Sequence, residues 1–307
     1  MNSGIAAKTV LITGASSGIG HASAKRLHDA GLTVYATARR PDAVADLAAE
    51  GIRTLPLDVT DDQSMQDAVS AIENEAGPIG ILINNAAYGL YGPVEQRPLG
   101  EVRALFDTNF FGLVRLTQLV LPSMRRAGAG RIINLSSMGG RATLPGGAFY
   151  HASKYAVEAL SDALRIELAL FGIDVVLIEP GPVRTPFMDL AVASLATATS
   201  PSGAGDPYKD FKDAIARSFT GLYTGPIARF VSTLDDIARV VTMAATARRP
   251  RTRYLVSLTA RSMIGMKRWL PDRANDALLA RQFGLPRSTR PSTRRPGKAA
   301  PSLDSAG

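Results

Sequence analysis

A tyrosine and a lysine four residues apart, Tyr150 and Lys154 in the run Tyr-His-Ala-Ser-Lys, lie on one face of any helix that holds them. A free phenol, with a pKa of about 10, exchanges protons poorly at neutral pH. An ammonium group beside it stabilises the phenolate and lowers that pKa. Such a pair is a usable proton donor for ketone reduction, or a proton acceptor for alcohol oxidation. A second pair with the same spacing, Tyr208 and Lys212, means that spacing alone does not specify a site. Context separates the two. The run Ile132-Ile-Asn-Leu-Ser-Ser137 precedes Tyr150 and ends in a hydroxyl, Ser137. At the C-terminal end of a parallel strand that hydroxyl faces the crevice where such sheets bind ligands, and it can hydrogen-bond an oxygen on which charge develops. No such strand precedes Tyr208, which reads as half of a surface pair.

A second constellation suits a phosphate. The apolar run Lys8–Thr13 gives way to Thr13-Gly-Ala-Ser-Ser-Gly-Ile-Gly20, and a helical pattern starts near Gly18. Glycines at 14, 18 and 20 allow a tight turn and close backbone approach to a pyrophosphate. The helix N-terminus adds free N–H groups and partial positive charge. In dinucleotide folds an acid at the end of the second strand holds the adenosine ribose. Here Thr33-Val-Tyr-Ala-Thr-Ala-Arg-Arg40 has Arg39 and Arg40 at that place, with no carboxylate before Asp42. A guanidinium matches a 2′-phosphate, so NADP(H) is expected in preference to NAD(H), with Ser16 in reach of the same phosphate. The alternative is two solvated arginines on a basic surface.

These groups need a framework that presents strand ends and helix starts along one edge. Strand-like runs occur at 9–13, 33–38, 53–57, 79–83, 131–135 and 174–178, with a weaker one at 252–257. Helical patterns alternate with them near 18–30, 41–50, 61–76, 100–127, 149–171, 233–247 and 263–283. Near-continuous apolar strands separated by helices predict an α/β fold: a single Rossmann-type, doubly wound parallel sheet of about seven strands flanked by helices. The expected organisation is one domain over 1–285, with residues 186–232 inserted as a substrate lid.

Composition narrows the function classes. The 307 residues are 46% hydrophobic and 20% charged, which are globular values, and there is no cysteine. Disulfide scaffolds, zinc–thiolate sites and thiol nucleophiles are therefore excluded. Three histidines, His21, His28 and His151, make a multi-histidine metal centre improbable, and no metal is expected. His151 follows Tyr150 but points about 100° away round a helix, and it reads as a packing residue. The formal charge is +8, and half of it lies in 286–307, where five basic residues face one acid among prolines and serines. That segment is expected to be a disordered, solvated tail, so no nucleic-acid partner is expected. No run approaches the length of a membrane span, and the protein is expected to be cytoplasmic. Met263, Met266, Trp269 and Leu270 form a helical stripe that reads as core. The adjacent Arg261, Lys267 and Arg268 leave weak membrane-surface contact as an alternative.

Four motifs in order, Thr13–Gly20, Asn84–Ala87, Ser137 with Tyr150 and Lys154, and Pro180-Gly-Pro-Val-Arg-Thr185, resemble the short-chain dehydrogenase/reductase family across about residues 8–284. Val34-Tyr-Ala-Thr37 and Ser137-Met-Gly-Gly140 are similar to its hydroxysteroid- and retinol-acting branch. The resemblance implies a catalytic set of Asn109, Ser137, Tyr150 and Lys154. In it Asn109 holds a proton-relay water and Lys154 binds nicotinamide-ribose hydroxyls as well as tuning Tyr150. It also implies cofactor contacts from Gly14, Ser16, Ser17, Gly18, Ile19 and Gly20. Asp58 and Val59 would meet the adenine, Asn85 and Ala86 would flank the central strand, and Pro180, Gly181, Val183 and Thr185 would line the nicotinamide. Ala87 departs from the family, which usually has glycine there. A homodimer or homotetramer is a further implication.

The residues expected around the substrate are Tyr88, Leu90, Tyr91, Leu144, Pro145, Phe149, Phe187, Met188 and Leu190, joined by others from 192–223. They are mostly apolar and aromatic, which fits a hydrophobic ketone, aldehyde or secondary alcohol. Two rivals stay open: a ketoreductase of acyl-thioester chains, and a non-catalytic NADP(H)-binding regulator.

Overall fold

The computed structural model describes residues 8–184, 186–198, 205–224 and 231–285. Thr185, much of 199–230 and the basic segment 286–307 lie outside the described residues, so the expectations for Thr185 and the tail find no counterpart in it.

Seven strands, β1 (Thr9–Ile12), β2 (Thr33–Ala38), β3 (Arg53–Pro56), β4 (Ile81–Asn84), β5 (Gly130–Leu135), β6 (Ile173–Glu179) and β7 (Arg253–Leu255), form one sheet in the order β3-β2-β1-β4-β5-β6-β7. Every pairing is parallel. Alternation along each strand divides the interior into two apolar layers. Val10 and Ile12 face one with Val34, Ile81 and Ile133, under α1 (Gly18–Asp29) and α9 (Leu234–Thr246). Leu11, Leu82 and Ile132 face the other, under α3 (Asp62–Ala76) and α5 (Gly112–Ala127). The chain winds outward in both directions from the β1/β4 pair, so a crevice opens beyond the C-terminal ends of those two strands.

Three elements differ from the sequence-based expectation. The helix expected over 100–127 is α4 (Leu99–Phe106) and α5 joined through a single π-helical stretch, Asp107–Phe111, with Asn109 inside it. Such widened turns concentrate at functional sites. The helix expected over 263–283 is two, α10 (Leu258–Trp269) and α11 (Asp272–Gln282). Pro271 stands between them, where its missing N–H and its effect on the preceding residue end a helix. Trp269 is 81% exposed rather than core, because Ala260 and Ile264 take the buried face of α10. The inserted region carries two helices, α7 (Pro186–Thr197) and α8 (Lys209–Thr224). The short helix α2 (Ala45–Ala49) and the long α6 (Ala148–Ala169) complete the order, the latter carrying Tyr150 and Lys154. Among the described residues no helix is long and apolar enough to cross a membrane.

Beneath the crevice runs a buried polar ladder. Asn84 and Asn134 are in register on β4 and β5. Asn84 Nδ2 donates to Asn134 Oδ1 at 2.9 Å, Asn134 Nδ2 donates to Ser161 Oγ at 2.9 Å, and Ser161 Oγ donates to the Val157 carbonyl at 2.7 Å. It ties the sheet centre to α6. Asn134→Ala would take one of two partners from Asn84 Nδ2 and from Ser161 Oγ and leave a cavity, and urea denaturation should record a loss of about 2 kcal/mol.

Candidate active site

The ends of β1 and β4 are stitched together by side chains. Thr13 Oγ1 accepts from the backbone N–H of Asn85 and of Ala86, both at 3.0 Å. Asn85 Nδ2 donates to the carbonyls of Thr13 at 2.9 Å and Gly14 at 3.0 Å. The glycines permit this contact. A Cβ at Gly20 would stand 2.4 Å from the Gly14 carbonyl oxygen and 2.5 Å from Asn85 Nδ2, and one at Gly14 would stand 2.8 Å from the Ala86 Cα. Gly14 and Gly18 also have positive φ, 67° and 61°. Helix α1 then begins with no side chain capping its first turn and no acid within it.

From this turn a cavity of about 400 Å³ runs along the crevice to Tyr150. The expected cofactor residues Gly14, Ser16, Ser17, Gly18 and Ile19 line one end with Arg39, Asp58 and Val59. Asn85, Ala86, Pro180, Gly181 and Val183 line its middle, and Ala87, the departure from the family pattern, sits among them. Gly20 does not reach the cavity, since its backbone packs behind Gly14. Among the described residues the one acid on the wall is Asp58, and its Oδ1 already accepts from Thr60 N at 2.9 Å and Thr60 Oγ1 at 2.7 Å.

At the other end Ser137 Oγ accepts from the Gly139 N–H at 3.0 Å and contacts the Tyr150 phenol. Burial pushes the Tyr150 pKa up to about 12, against a smaller opposite pull from Ser137. The depression expected from Lys154 is therefore not found. Lys154 is itself buried, its Nζ donates to the Leu135 carbonyl at 2.8 Å, and burial lowers its pKa to about 8. Asn109 lies off the cavity wall. Its Nδ2 donates to the Tyr88 carbonyl at 2.9 Å and to Ser153 Oγ at 3.1 Å, while its Oδ1 accepts from Tyr88 N at 3.0 Å. Both amide hydrogens are thus engaged in joining the Tyr88 loop to α6.

The substrate end is walled by Tyr91, Leu144, Phe187 and Phe219, with Tyr88 nearby. Leu90 and Phe149, expected there, instead pack with Val102 and Leu105 under α4, and Leu190 is 63% exposed. Pro145 does not reach the wall, and the side chain of Met188 lies outside the description. The wall residues that sequence reasoning missed include Met138, Thr108 and His151. His151 was the accessible one, since it adjoins Tyr150 in sequence. The decoy pair takes other partners: the Tyr208 hydroxyl donates to Glu95 Oε2 at 2.7 Å, and Lys212 pairs with Asp206 at 2.5 Å.

A family model described as short chain dehydrogenase matches residues 8–194. The chain belongs to the short-chain dehydrogenase/reductase family. It is 37% identical to the uncharacterized oxidoreductase YbbO of Escherichia coli K12, over 89% of this chain and 94% of that one. It is 41% identical to a 3-ketodihydrosphingosine reductase of Bacteroides thetaiotaomicron, over 68% of this chain and 73% of the relative. Among solved structures, a short-chain dehydrogenase from Streptomyces avermitilis superposes with a TM-score of 0.72 at 31% identity, covering 90% of this chain and 95% of its own. A serine dehydrogenase complexed with NADP+ does so with a TM-score of 0.68 at 28% identity, covering 82% and 95%. This short-chain dehydrogenase/reductase is accordingly an NAD(P)-dependent oxidoreductase.

One turn beyond Lys154 on α6, the enzyme buries a carboxylate. Glu158 accepts from Arg253 Nη2 at 3.2 Å, yet burial first, then the neighbouring Glu179, push its pKa up from 4.5 to about 7. The folded chain then holds more protons than the unfolded chain between those values, so this group makes stability fall as pH rises from about 4.5 to about 7. Lys154 acts in the opposite direction from about 8 to 10.5, where the unfolded chain holds more protons. Thermal melts of Glu158→Gln across pH 4.5 to 7 should show a flatter loss than the parent chain.

Proposed function

We propose that this oxidoreductase is an NADP(H)-dependent reductase of hydrophobic ketones or aldehydes, running the reverse alcohol oxidation at higher pH. The observation that carries this reading is a buried phenol in contact with the Ser137 hydroxyl at the aromatic end of a cavity that starts at a glycine turn. A protonated Tyr150 is a donor at neutral pH, which suits reduction. Ser137, oriented by the Gly139 N–H, hydrogen-bonds the carbonyl oxygen as charge develops there.

The cavity fits a dinucleotide. Close packing at Gly14 and Gly20 leaves backbone where side chains would obstruct, and the uncapped N-terminus of α1 offers N–H groups to a pyrophosphate. Arg39 and Ser16 on the wall would hold a 2′-phosphate, while Asp58 at the same end has one carboxylate oxygen turned to Thr60. When bound, the nicotinamide supplies the hydride that adds to the carbonyl carbon. Lys154 would hold the ribose hydroxyls from its buried seat, and the widened turn at Asn109 would seat a relay water. The walls Tyr91, Leu144, Phe187 and Phe219 favour an apolar substrate. The Bacteroides relative, named as a reductase of a 3-keto compound, supports the same direction.

Exposed Phe111, Ile166 and Leu170, at 56%, 78% and 86%, fit self-association through the α5 and α6 side. Trp269, beside Arg268 on α10, fits weak contact with an anionic membrane surface.

Tyr150→Phe should bind NADPH with nearly unchanged affinity in a fluorescence titration while turnover of an apolar ketone falls about a thousandfold or more. Retained turnover would overturn the role given to Tyr150. Arg39→Asp should shift the NADPH/NADH ratio of kcat/KM toward NADH by about ten- to a hundredfold. An unchanged ratio would leave Arg39 as surface charge.

A further inference from the structure

A phenol that gives up a proton must keep its ring plane in place as well as its oxygen. Helix α6 fixes the Tyr150 backbone, but the outer torsion of a tyrosine is broad and is set by whatever packs on the ring. The contact with Ser137 holds the oxygen alone. Two other aromatics hold the ring. Tyr91 stacks on it with centroids 5.8 Å apart and planes 30° from parallel, and Phe187 of α7 leans on it at 5.4 Å and 58°. Both separations are those at which aromatic rings attract. Tyr91 is itself buried and tightly enclosed, with Phe219 of α8 edge-on at 5.2 Å. A Cβ at Gly89 would stand 2.9 Å from Tyr91 Cε2 and 2.9 Å from Phe187 Cζ, and one at Gly147 would stand 2.9 Å from Tyr91 Cε1. Neither glycine has a positive φ, so the ring contacts, not the turns, call for glycine at both places. The Tyr91 main chain is held as firmly. Its carbonyl accepts from Arg97 Nε at 3.1 Å and from Arg97 Nη2, and its N–H donates to Ser194 Oγ of α7 at 3.0 Å. Arg97 is buried and lies off the cavity wall, so its guanidinium serves this junction and not the substrate.

We propose that Tyr91 is a positioning residue for the reaction: its ring holds the plane of the Tyr150 phenol so that the hydroxyl is aimed at the carbonyl oxygen, and Arg97 holds Tyr91. The inference rests on the reductase reading, which makes Tyr150 the proton donor, and adds to it the groups that aim the donor. No atom of Tyr91 reacts. The proton passes from the Tyr150 oxygen to the carbonyl oxygen as the hydride adds to the carbonyl carbon, and the product is the neutral alcohol. Tyr91 is also part of the cavity wall. A wall contact matters in proportion to the substrate that touches it, whereas aiming the donor acts on every carbonyl alike.

The test uses the full chain with NADPH and two ketones of unlike length, hexan-2-one and tridecan-2-one. Tyr91→Leu, which stays apolar and removes the ring, should lower kcat and kcat/KM together by about ten- to a hundredfold for both ketones. The solvent deuterium isotope effect on kcat should rise above the parent's, because a misaimed phenol slows proton transfer. A fold that is merely less stable would not move that ratio. A fluorescence titration should give the parent's stoichiometry and affinity for NADPH. Tyr91→Phe, which returns the ring, should restore most of the lost turnover. Gly89→Ala, whose methyl presses on Tyr91 and Phe187, should reproduce the defect with every ring present, and it is the decisive variant if Tyr91→Leu fails to fold. A loss confined to KM or to the longer ketone, or an unmoved isotope effect, would overturn the role of Tyr91 while leaving the reductase reading in place. Reduction of neither ketone by a parent enzyme that binds NADPH would overturn that reading and this inference together.

Discussion

Everything at this site hangs on how closely two loop backbones approach beyond β1 and β4. The contact is polar and local: one threonine hydroxyl, one asparagine amide and the carbonyls and N–H groups of Thr13, Gly14, Asn85 and Ala86. It works because Gly20 has no side chain to hold them apart. With that distance set, the glycine turn faces open space, α1 starts uncapped toward it, and the crevice runs unbroken to the end of β5. A larger residue at Gly20 would move all three features at once, because they share one backbone seam.

The reactive end is governed by desolvation. Tyr150, Lys154, Glu158 and His151 are all held toward their neutral forms by burial. They nevertheless lie within about two turns of one helix, Tyr150 in contact with Ser137 and the other three each oriented by a backbone group or an ion pair. Leu135 anchors Lys154, Gly139 anchors His151 and Ser137, and Arg253 anchors Glu158. A dry wall strengthens every polar contact a substrate makes there.

Over the substrate end, α7 and α8 are held to the body by polar ties rather than by sheet pairing. Arg97, with its guanidinium almost fully buried, donates to the carbonyls of Tyr91 and Ser194, and Ser194 Oγ accepts from Tyr91 N at 3.0 Å. Gln96 donates to Asp206 Oδ1 at 2.6 Å, and Asp206 also pairs with Lys212. Phe187 from α7 and Phe219 from α8 thereby reach the cavity wall. The second Tyr–Lys pair belongs to this latch, not to proton transfer.

Sequence alone determined the parallel α/β fold, the glycine turn, the place of Arg39 and the Ser137–Tyr150–Lys154 set, because each depends on short-range periodicity or spacing along one element. Apolar alternation and helix-start chemistry act over a few residues and survive in a linear reading. Tertiary structure decided the rest. The sign of the Tyr150 shift depends on how much water the folded wall excludes, which no spacing encodes. Whether Leu90 or Phe219 meets the substrate depends on which face of the loop and of α8 turns inward. Asn109 joins the Tyr88 loop to α6 because a π turn re-aims it, and sequence patterns resolve helices, not the one-residue slip inside them. His151 reads as packing in the chain because it lies about 100° from Tyr150 round the helix. It reaches the wall only because the Gly139 and Gly147 loops fold back to meet that second face.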